Sequence, residues 1–217
     1  MVHRNCRALL FNFIIFLIAT FYSILPTLAE APKNYLKGKF YRSVKDHFLV
    51  ATEKMTDSRF NKTVIVMLDN DKKSSFGLVI NKPIGKVPLR FLINELQDQK
   101  NEKKELYNVE MPIFWGGPVD KKQIYILHSE EYKNKTTKNH KDISITRDYK
   151  ILFDIAENKG PKNFLIILGY SGWADGQLEG EMEVDHWILS ELDSQIIFEE
   201  ESKNKWLKAY ENSFIRL

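Results

Sequence analysis

The chain has 217 residues, 43% of them hydrophobic and 28% charged, which are ordinary proportions for a globular protein that buries a core. Residues 1–29 contain two arginines and no acid, so subtracting two from the 32 basic residues leaves 30 against 29 acidic ones in the remaining chain. A domain so close to neutrality lacks the basic footprint of a duplex-DNA binder and gives no strong nucleic-acid signal.

The N-terminal segment has the pattern of a leader. Met1–Arg7 carries both arginines, residues 8–25 are almost wholly apolar, and a proline and small residues follow up to Ala29. This order is typical of a secretory signal peptide cleaved after Ala29. The apolar run is also close to the roughly 18–20 residues that span a bilayer, so an uncleaved inner-membrane anchor is an alternative. We therefore expect export or anchoring, with membrane contact only through residues 8–25 and a cytoplasmic location as the remaining alternative.

The rest of the chain divides into a linker, residues 30–45, and one domain, residues 46–217. The only cysteine, Cys6, precedes both, so the domain has no disulfide, thiolate metal site or cysteine nucleophile.

Short β-branched runs in the domain predict strands, and amphipathic segments predict a few short helices. The predicted strands are His47–Thr52, Thr63–Leu68, Phe76–Asn81, Met111–Trp115, Gln123–His128, Ile143–Thr146 and Asn163–Tyr170. The predicted helices are Pro88–Leu96, Tyr149–Asn158 and Ser202–Asn212, and the predicted loops are Gln97–Tyr107 and Ser129–Asp142. Helices do not alternate regularly with the strands, so the pattern favours an α+β fold with a mixed, mainly antiparallel sheet over a doubly wound parallel one.

The segment Gln177–His186 is ambiguous between strand and helix. Apolar and polar residues alternate along it, a period of two that favours a half-exposed strand. A helix beginning at Gly176 would instead pair Leu178 with Met182. We predict the strand.

Two groups of side chains could carry acid–base chemistry. On a strand, Glu179, Glu181 and Glu183 would share one face, where adjacent carboxylates raise each other's pKa; a solvated acidic face is the simpler interpretation. His128 ends an apolar strand and could be a general base, although a hydrogen-bonded structural histidine is more common there. The five histidines show no metal-binding spacing, and no cofactor motif is present.

Two glycine-containing segments are also candidates. The pair Gly116-Gly117 could present backbone N–H groups to an anion or simply form a tight turn. Ser171 follows Gly169 as in a nucleophile elbow, but Trp173 stands where that motif requires a second glycine, so a serine nucleophile is not expected.

Taken together, the segments HFLVATEKMTDSRFNKTVIVML, FGLVINKP, FWGGPVDKKQIYILH and FLIILGYSGWADGQLEGEMEVDHWILSEL resemble the YqgE/AlgH family in the same order. The resemblance covers about Asp46 to Trp206. It implies an α+β domain with a bifurcated sheet that forms a pseudo-barrel, and no established activity. The motif positions that it carries over are Asp57, Phe60, Asn81, Gly116, Gly117, Pro118, His128, Gly169, Gly172, Trp173, Gly176, Gln177, Glu179, Glu181 and Trp187.

Three hypotheses about function follow. The first is a non-catalytic binding or regulatory module whose partner is unknown. Its candidate binding site comprises Gly116, Gly117, His128, Trp173, Gln177, Glu179 and Glu181. The second is a hydrolase-like enzyme in which Glu179 or Glu181 acts with His128, with or without a divalent cation. The third is a transcriptional regulator, which near-neutral charge and export disfavour. The first is preferred.

Overall fold

The computed structural model describes residues 43–71, 73–96 and 108–213, with side chains omitted for residues 93–96. The predicted leader, most of the linker and the loop Gln97–Tyr107 lie outside the described residues. Among the described helices, none combines the length and the apolar character needed to cross a bilayer.

Ten strands form one curled sheet in the described part of the chain. They are β1 (His47–Ala51), β2 (Val64–Asn70), β3 (Ser74–Val79), β4 (Pro83–Pro88), β5 (Glu110–Trp115), β6 (Val119–Ser129), β7 (Lys138–His140), β8 (Ile143–Thr146), β9 (Phe164–Ala174) and β10 (Trp187–Glu191). The helices are a 3-10 turn (Ser58–Phe60), α1 (Leu89–Leu96), α2 (Lys150–Ala156), α3 (Gln177–Glu183), α4 (Ser194–Phe198) and α5 (Ser202–Asn212).

The sheet follows the order β10-β1-β2-β3-β9-β6-β8-β7 and branches at β9. The first half of β9 pairs in parallel with β5, through Ile166–Leu168, and its second half pairs antiparallel with β3. Strand β4 extends the branch by pairing with β5. All other pairings are antiparallel. The predicted α+β class with a bifurcated, mainly antiparallel pseudo-barrel is therefore confirmed.

Curling brings the two ends of the sheet together. His140 at the end of β7 lies beside Asp46, immediately before β1, with 3.0 Å between Nδ1 and Oδ1. The ammonium group of Lys141 also donates to the carbonyl oxygen of Leu192, just after β10, at 3.5 Å. We call this junction of Asp46, His140, Lys141 and Leu192 the seam.

Hydrophobic side chains fill both the inside and the outside of the curled sheet. The interior cluster contains fully buried residues such as Phe48, Val66 and Leu127. Helices α1 and α2 cover a second cluster around Ile126 and Ile151, and α3 covers a third through Leu178 and Met182. Strands buried on both faces do not alternate apolar and polar residues, so these strands have continuous apolar sequences.

The strand prediction for Gln177–His186 is wrong, because residues 177–183 form helix α3. Only Leu178 and Met182 are buried, four residues apart, whereas Val184 is 56% exposed. Gly176 begins the helix with φ 72°, a conformation that favours glycine.

Other predictions need smaller corrections. The predicted loop Ser129–Asp142 contains β7, whose three residues are too few to show a pattern. The sequence reasoning also missed β4, β10 and α4. Strand β4 has prolines at both ends and an irregular register at Gly85, which is characteristic of an edge strand and hides its β-propensity.

Candidate functional site

The two glycines of the Gly116-Gly117 pair lie at the branch of the sheet. A Cβ atom on Gly116 would be 2.2 Å from the carbonyl oxygen of Gly169, and one on Gly117 would be 2.2 Å from the carbonyl of Tyr170. The N–H of Gly116 donates to Leu168 O at 2.8 Å, and its own carbonyl accepts from Val79 N–H at 3.0 Å. Close packing of three backbones thus accounts for the glycine pair without a bound anion.

Ser171 belongs to the same branch. It is 1% exposed and lies inside β9 rather than in a turn after it. Its hydroxyl donates to the carbonyl oxygen of Gly116 at 3.0 Å. Ser171 therefore helps to hold the branch together.

Glu181 is held by three donors at the other end of the GYSGW segment. Its Oε2 accepts the indole N–H of Trp173 at 3.0 Å and that of Trp187 at 2.6 Å. Its Oε1 accepts from the side-chain amide of Gln177 at 3.0 Å. The fold thus brings together three of the predicted site residues, Trp173, Gln177 and Glu181. The hydrogen bonds tie the end of β9, helix α3 and the start of β10 to one carboxylate.

A small cavity of about 250 Å³ adjoins this carboxylate, between the 3-10 turn and the end of β9. Phe60 packs against Trp187 on its wall, with ring centroids 5.6 Å apart. The volume lies below the roughly 300 Å³ at which small-molecule pockets begin. The three donors to its oxygens give Glu181 a structural role in joining β9, α3 and β10.

The three glutamates do not share a face, because they lie on a helix and successive residues are rotated by about 100°. Glu179 points away from Glu181 and lines a separate depression with Asp71 and Asp175. Glu183 is exposed near the end of α3. Among the described residues, no three His, Cys, Asp or Glu side chains are arranged to hold a metal ion.

His128 lies far from these residues. It pairs with Phe164 at the start of β9, whereas Trp173 is nine residues further along that strand. His128 lines neither the cavity at Glu181 nor the depression at Glu179. Its Nδ1 lies 2.8 Å from Ser129 O, and its Nε2 is buried without a partner among the described residues. Burial lowers the pKa of His128. The fold therefore does not place His128 with Glu179 or Glu181.

A much larger concavity lies elsewhere, at the open end of the pseudo-barrel. It encloses about 1160 Å³ between the ends of β2, β3, β6, β8 and β9 and the start of β7. We call it the mouth groove. Gly172 and Trp173 line both this groove and the small cavity at Glu181.

Three of the aromatic rings that line the mouth groove pack against one another, and we call them its floor; Tyr125 is 6% exposed, and Phe76 and Tyr170 are half-buried. The centroids of Phe76 and Tyr170 are 5.0 Å apart, and Tyr125 lies 5.5 Å from Phe76 and 6.1 Å from Tyr170. The Arg147 guanidinium lies over the Tyr125 ring, 5.6 Å from its centroid, and donates to Gln123. Burial raises the pKa of the Tyr125 phenol, an effect that Arg147 opposes.

The rim of the groove carries both signs of charge. Its cations are Lys45, Lys138 and Arg147, and its carboxylates are Asp69, Asp120 and Asp148. The sequence reasoning missed the groove because an aromatic residue in a strand normally indicates core. The strand pairing Val119–Tyr170 and Phe76–Gly172 brings these residues to one end of the sheet, and sequence alone did not supply that register.

Comparison with known proteins agrees with the motif resemblance. The chain matches the sequence profile of the family DUF179, described as AlgH-like, over residues 48–217. The chain belongs to this AlgH-like family. It is similar to the UPF0301 protein of Rickettsia prowazekii, with 34% identity over 79% of this chain and 89% of that protein. A UPF0301 protein of Shewanella frigidimarina is 32% identical over 77% of this chain and 89% of its own length.

Solved structures support the AlgH-like fold. The solution structure of the AlgH protein from Pseudomonas aeruginosa superposes with a TM-score of 0.68 and 28% identity, covering 83% of this chain and 94% of that one. The protein DIP2367 from Corynebacterium diphtheriae has a TM-score of 0.59 at 16% identity, with 78% and 86% coverage, and shows likeness of fold alone. The family is uncharacterised, so its membership assigns no reaction to the AlgH-like domain.

Proposed function

We propose that the AlgH-like domain is a non-catalytic binding module and that the mouth groove is its ligand site. The observation that carries the proposal is the aromatic floor of Phe76, Tyr125 and Tyr170 inside an open concavity of about 1160 Å³. Ligand sites in proteins are concave, mainly apolar, and often lie at the mouths of β-barrels. A regulatory role would follow if occupancy of the groove changed the binding of a partner.

The floor combines apolar rings with hydroxyl groups that are available for hydrogen bonds to a ligand. The hydroxyls of Tyr125 and Tyr170 make no hydrogen bond to any described residue, and both side chains line the groove. A phenol ring offers a ligand a large contact surface and one hydrogen-bonding group at small entropic cost. We therefore expect a ligand with an apolar or aromatic body and polar substituents.

The charged residues of the rim are not paired with opposite charges among the described residues. Lys138, Arg147 and Asp120 form no salt bridge with another described residue, and the same holds for the other three charged rim residues. Balanced charges of both signs orient a polar ligand without attracting a polyanion such as nucleic acid.

The hydrolase-like alternative receives no comparable support. It requires Glu179 or Glu181 within about 3–4 Å of the same reacting point as His128, directly or through one water. His128 pairs with the first residue of β9 and lines neither the cavity at Glu181 nor the depression at Glu179, which does not favour that arrangement.

An aromatic anionic dye, 8-anilinonaphthalene-1-sulfonate, tests the groove. We expect its fluorescence to rise on binding to the folded full-length protein, and Arg147→Gln to weaken binding several-fold because the cation beside the floor is lost. Lys135→Gln, an exposed lysine outside the groove lining, is the matched control. Equal affinity in all three proteins would refute the proposed site.

We also infer that residues 1–29 export the AlgH-like domain or anchor it to the inner membrane. The support is the sequence pattern of two arginines, an apolar run and small residues before Ala29. A C-terminal alkaline phosphatase fusion reports export, because that enzyme becomes active only outside the cytoplasm. An inactive fusion that is well expressed would contradict this inference.

A further inference from the structure

Another concavity lies outside the mouth groove, where the FGLVINKP and FWGGPV segments meet. It encloses about 390 Å³ and is lined by Arg59, Lys82, Pro83, Ile84, Trp115, Pro118 and Lys121. We call it the basic cleft. Its residues come from the 3-10 turn, the start of β4, the end of β5 and the start of β6.

The walls of the basic cleft are apolar and accessible. Ile84 is 56% exposed on the edge strand β4, although it is a large hydrophobic residue. Trp115 and Pro118 are half-buried beside it, and Phe60 supports the indole of Trp115 from behind at a centroid distance of 5.5 Å. The cleft therefore offers a preformed place for one apolar side chain.

All charged residues that line the basic cleft are cations. The guanidinium of Arg59 is partly neutralised by Asp57, at 2.6 Å and 3.0 Å, but Lys82 and Lys121 form no salt bridge with a described residue. The ammonium of Lys82 donates to Asn61 O at 2.8 Å, which holds it at the edge of the cleft. Partial burial without a carboxylate partner lowers the pKa of Lys82, so a partner's carboxylate would compensate an existing cost.

We infer that the basic cleft docks an acidic peptide segment, with an apolar side chain inserted beside Ile84 and Trp115 and flanking carboxylates paired with Lys82 and Lys121. Charge complementarity selects this occupant, because two cations of the cleft, Lys82 and Lys121, have no carboxylate partner among the described residues, in a domain that is otherwise near neutral. Its concave shape suits one inserted side chain.

This surface is independent of the proposed ligand site. The residues lining the basic cleft do not overlap with those lining the mouth groove. The dye experiment therefore tests only the mouth groove, and the peptide experiment tests only the basic cleft, so either proposal can fail without the other.

The test measures fluorescence anisotropy of a labelled peptide in which one leucine is flanked on each side by three glutamates, added to the full-length protein. We expect saturable binding that weakens with salt. Lys82→Gln with Lys121→Gln should reduce affinity about tenfold, because two rim charges of roughly 0.7 kcal/mol each are lost. Lys133→Gln with Lys135→Gln removes the same charge from the exposed loop after β6 and should leave affinity unchanged.

Three results would overturn the inference. One is equal binding of a peptide with glutamine in place of glutamate, and another is equal loss of affinity in both double variants. The third concerns vesicles of phosphatidylglycerol. The inference fails if Lys82→Gln with Lys121→Gln weakens binding to these vesicles but leaves the affinity for the peptide unchanged. That result would assign the cleft to an anionic lipid surface.

Discussion

Asp46 and His140 are 94 residues apart in the chain, yet Oδ1 of the aspartate lies 3.0 Å from Nδ1 of the histidine. Their contact joins the two ends of the curled sheet at the seam, next to the mouth groove, which His140 also lines. The closure of the half-barrel and the shape of the proposed ligand site therefore depend on the same pair.

Breaking this pair should loosen the seam. His140→Phe removes the hydrogen bond but keeps a buried ring, and we expect the free energy of unfolding to fall by about 1 kcal/mol. Asp46 has φ 60°, so Asp46→Gly is the suitable partner variant, because it removes the acceptor and glycine readily adopts that backbone conformation. Urea denaturation of both single variants and the double variant should give a coupling energy of about 0.5–1 kcal/mol. Strict additivity would show that the contact contributes nothing.

Glu181 should be much more sensitive to substitution than Glu179, although both lie on α3. Glu181→Ala leaves two indole N–H groups without their acceptor, so we expect a loss of about 3 kcal/mol and a lower Tm. Glu179→Ala removes no hydrogen bond of the described residues and should change stability by less than about 0.5 kcal/mol. Calorimetry compares the two directly. Similar Tm values for both variants would mean that the indole contacts do not stabilise the fold.

The glycines at the sheet branch provide a second contrast. Gly116→Ala places a methyl group against the carbonyl of Gly169, and the backbones must separate to admit it, so we expect a loss of at least about 3 kcal/mol or failure to fold. The methyl group added by Gly180→Ala would have no atom within 4 Å, and residue 180 lies inside α3. This substitution should therefore raise the free energy of unfolding by up to about 1 kcal/mol. Chemical denaturation of both proteins checks the pair. Wild-type stability in Gly116→Ala would contradict the close approach described here.

Sequence reasoning succeeded where one local pattern decides the structure, and it failed where strand pairing does. The apolar runs of β2 and β9 and the spacing along α5 are visible without any partner. The mouth groove is not, because Phe76 and Tyr170 meet only through the register of β3, β9 and β6. Helix α3 was mistaken for a strand because alternating Gln and Glu residues mimic a period of two, while only Leu178 and Met182 reach the core.

The same reasoning explains the mixed result for the predicted site. Trp173, Gln177 and Glu181 do converge, but the convergence engages the carboxylate in three hydrogen bonds. Motif position cannot distinguish a residue that binds a ligand from one that holds two elements together. Only the hydrogen-bond partners of Glu181 make that distinction.

His128 should make the fold sensitive to acid. Burial lowers its folded-state pKa below the unfolded value near 6.5, so the unfolded chain binds more protons in acid. The stability associated with neutral His128 is therefore complete above about pH 6.5 and declines as pH falls below it. His128→Leu removes this titration, so the difference in unfolding free energy between variant and wild type should shift in favour of the variant from pH 8 to pH 5. If the unfolding free energies of wild type and variant changed with pH in parallel, His128 would not be the source of the acid sensitivity.

Lys205 should also make the free energy of unfolding rise with pH, but in the alkaline range. Its ammonium is buried among α4 and α5, donates to Ile197 O and lies 5.8 Å from the centroid of the Phe114 ring. Burial lowers its pKa to about 8, although Glu200 opposes this shift. The unfolded lysine, with a pKa near 10.4, thus binds more protons than the folded one between about pH 8 and pH 10.4.

Stability should consequently rise with pH across that window, as the cost of burying a charged ammonium disappears. Lys205→Met keeps the length of the side chain and cannot titrate, so it should lack this contribution. Other groups titrate in the same range, and the measurement is therefore the difference in unfolding free energy between wild type and variant at pH 7.5, 9 and 10. We expect the unfolding free energy of wild type to increase relative to that of the variant at each rise in pH. A constant difference would show that Lys205 keeps an ordinary pKa, and hence that its ammonium reaches water in the folded protein.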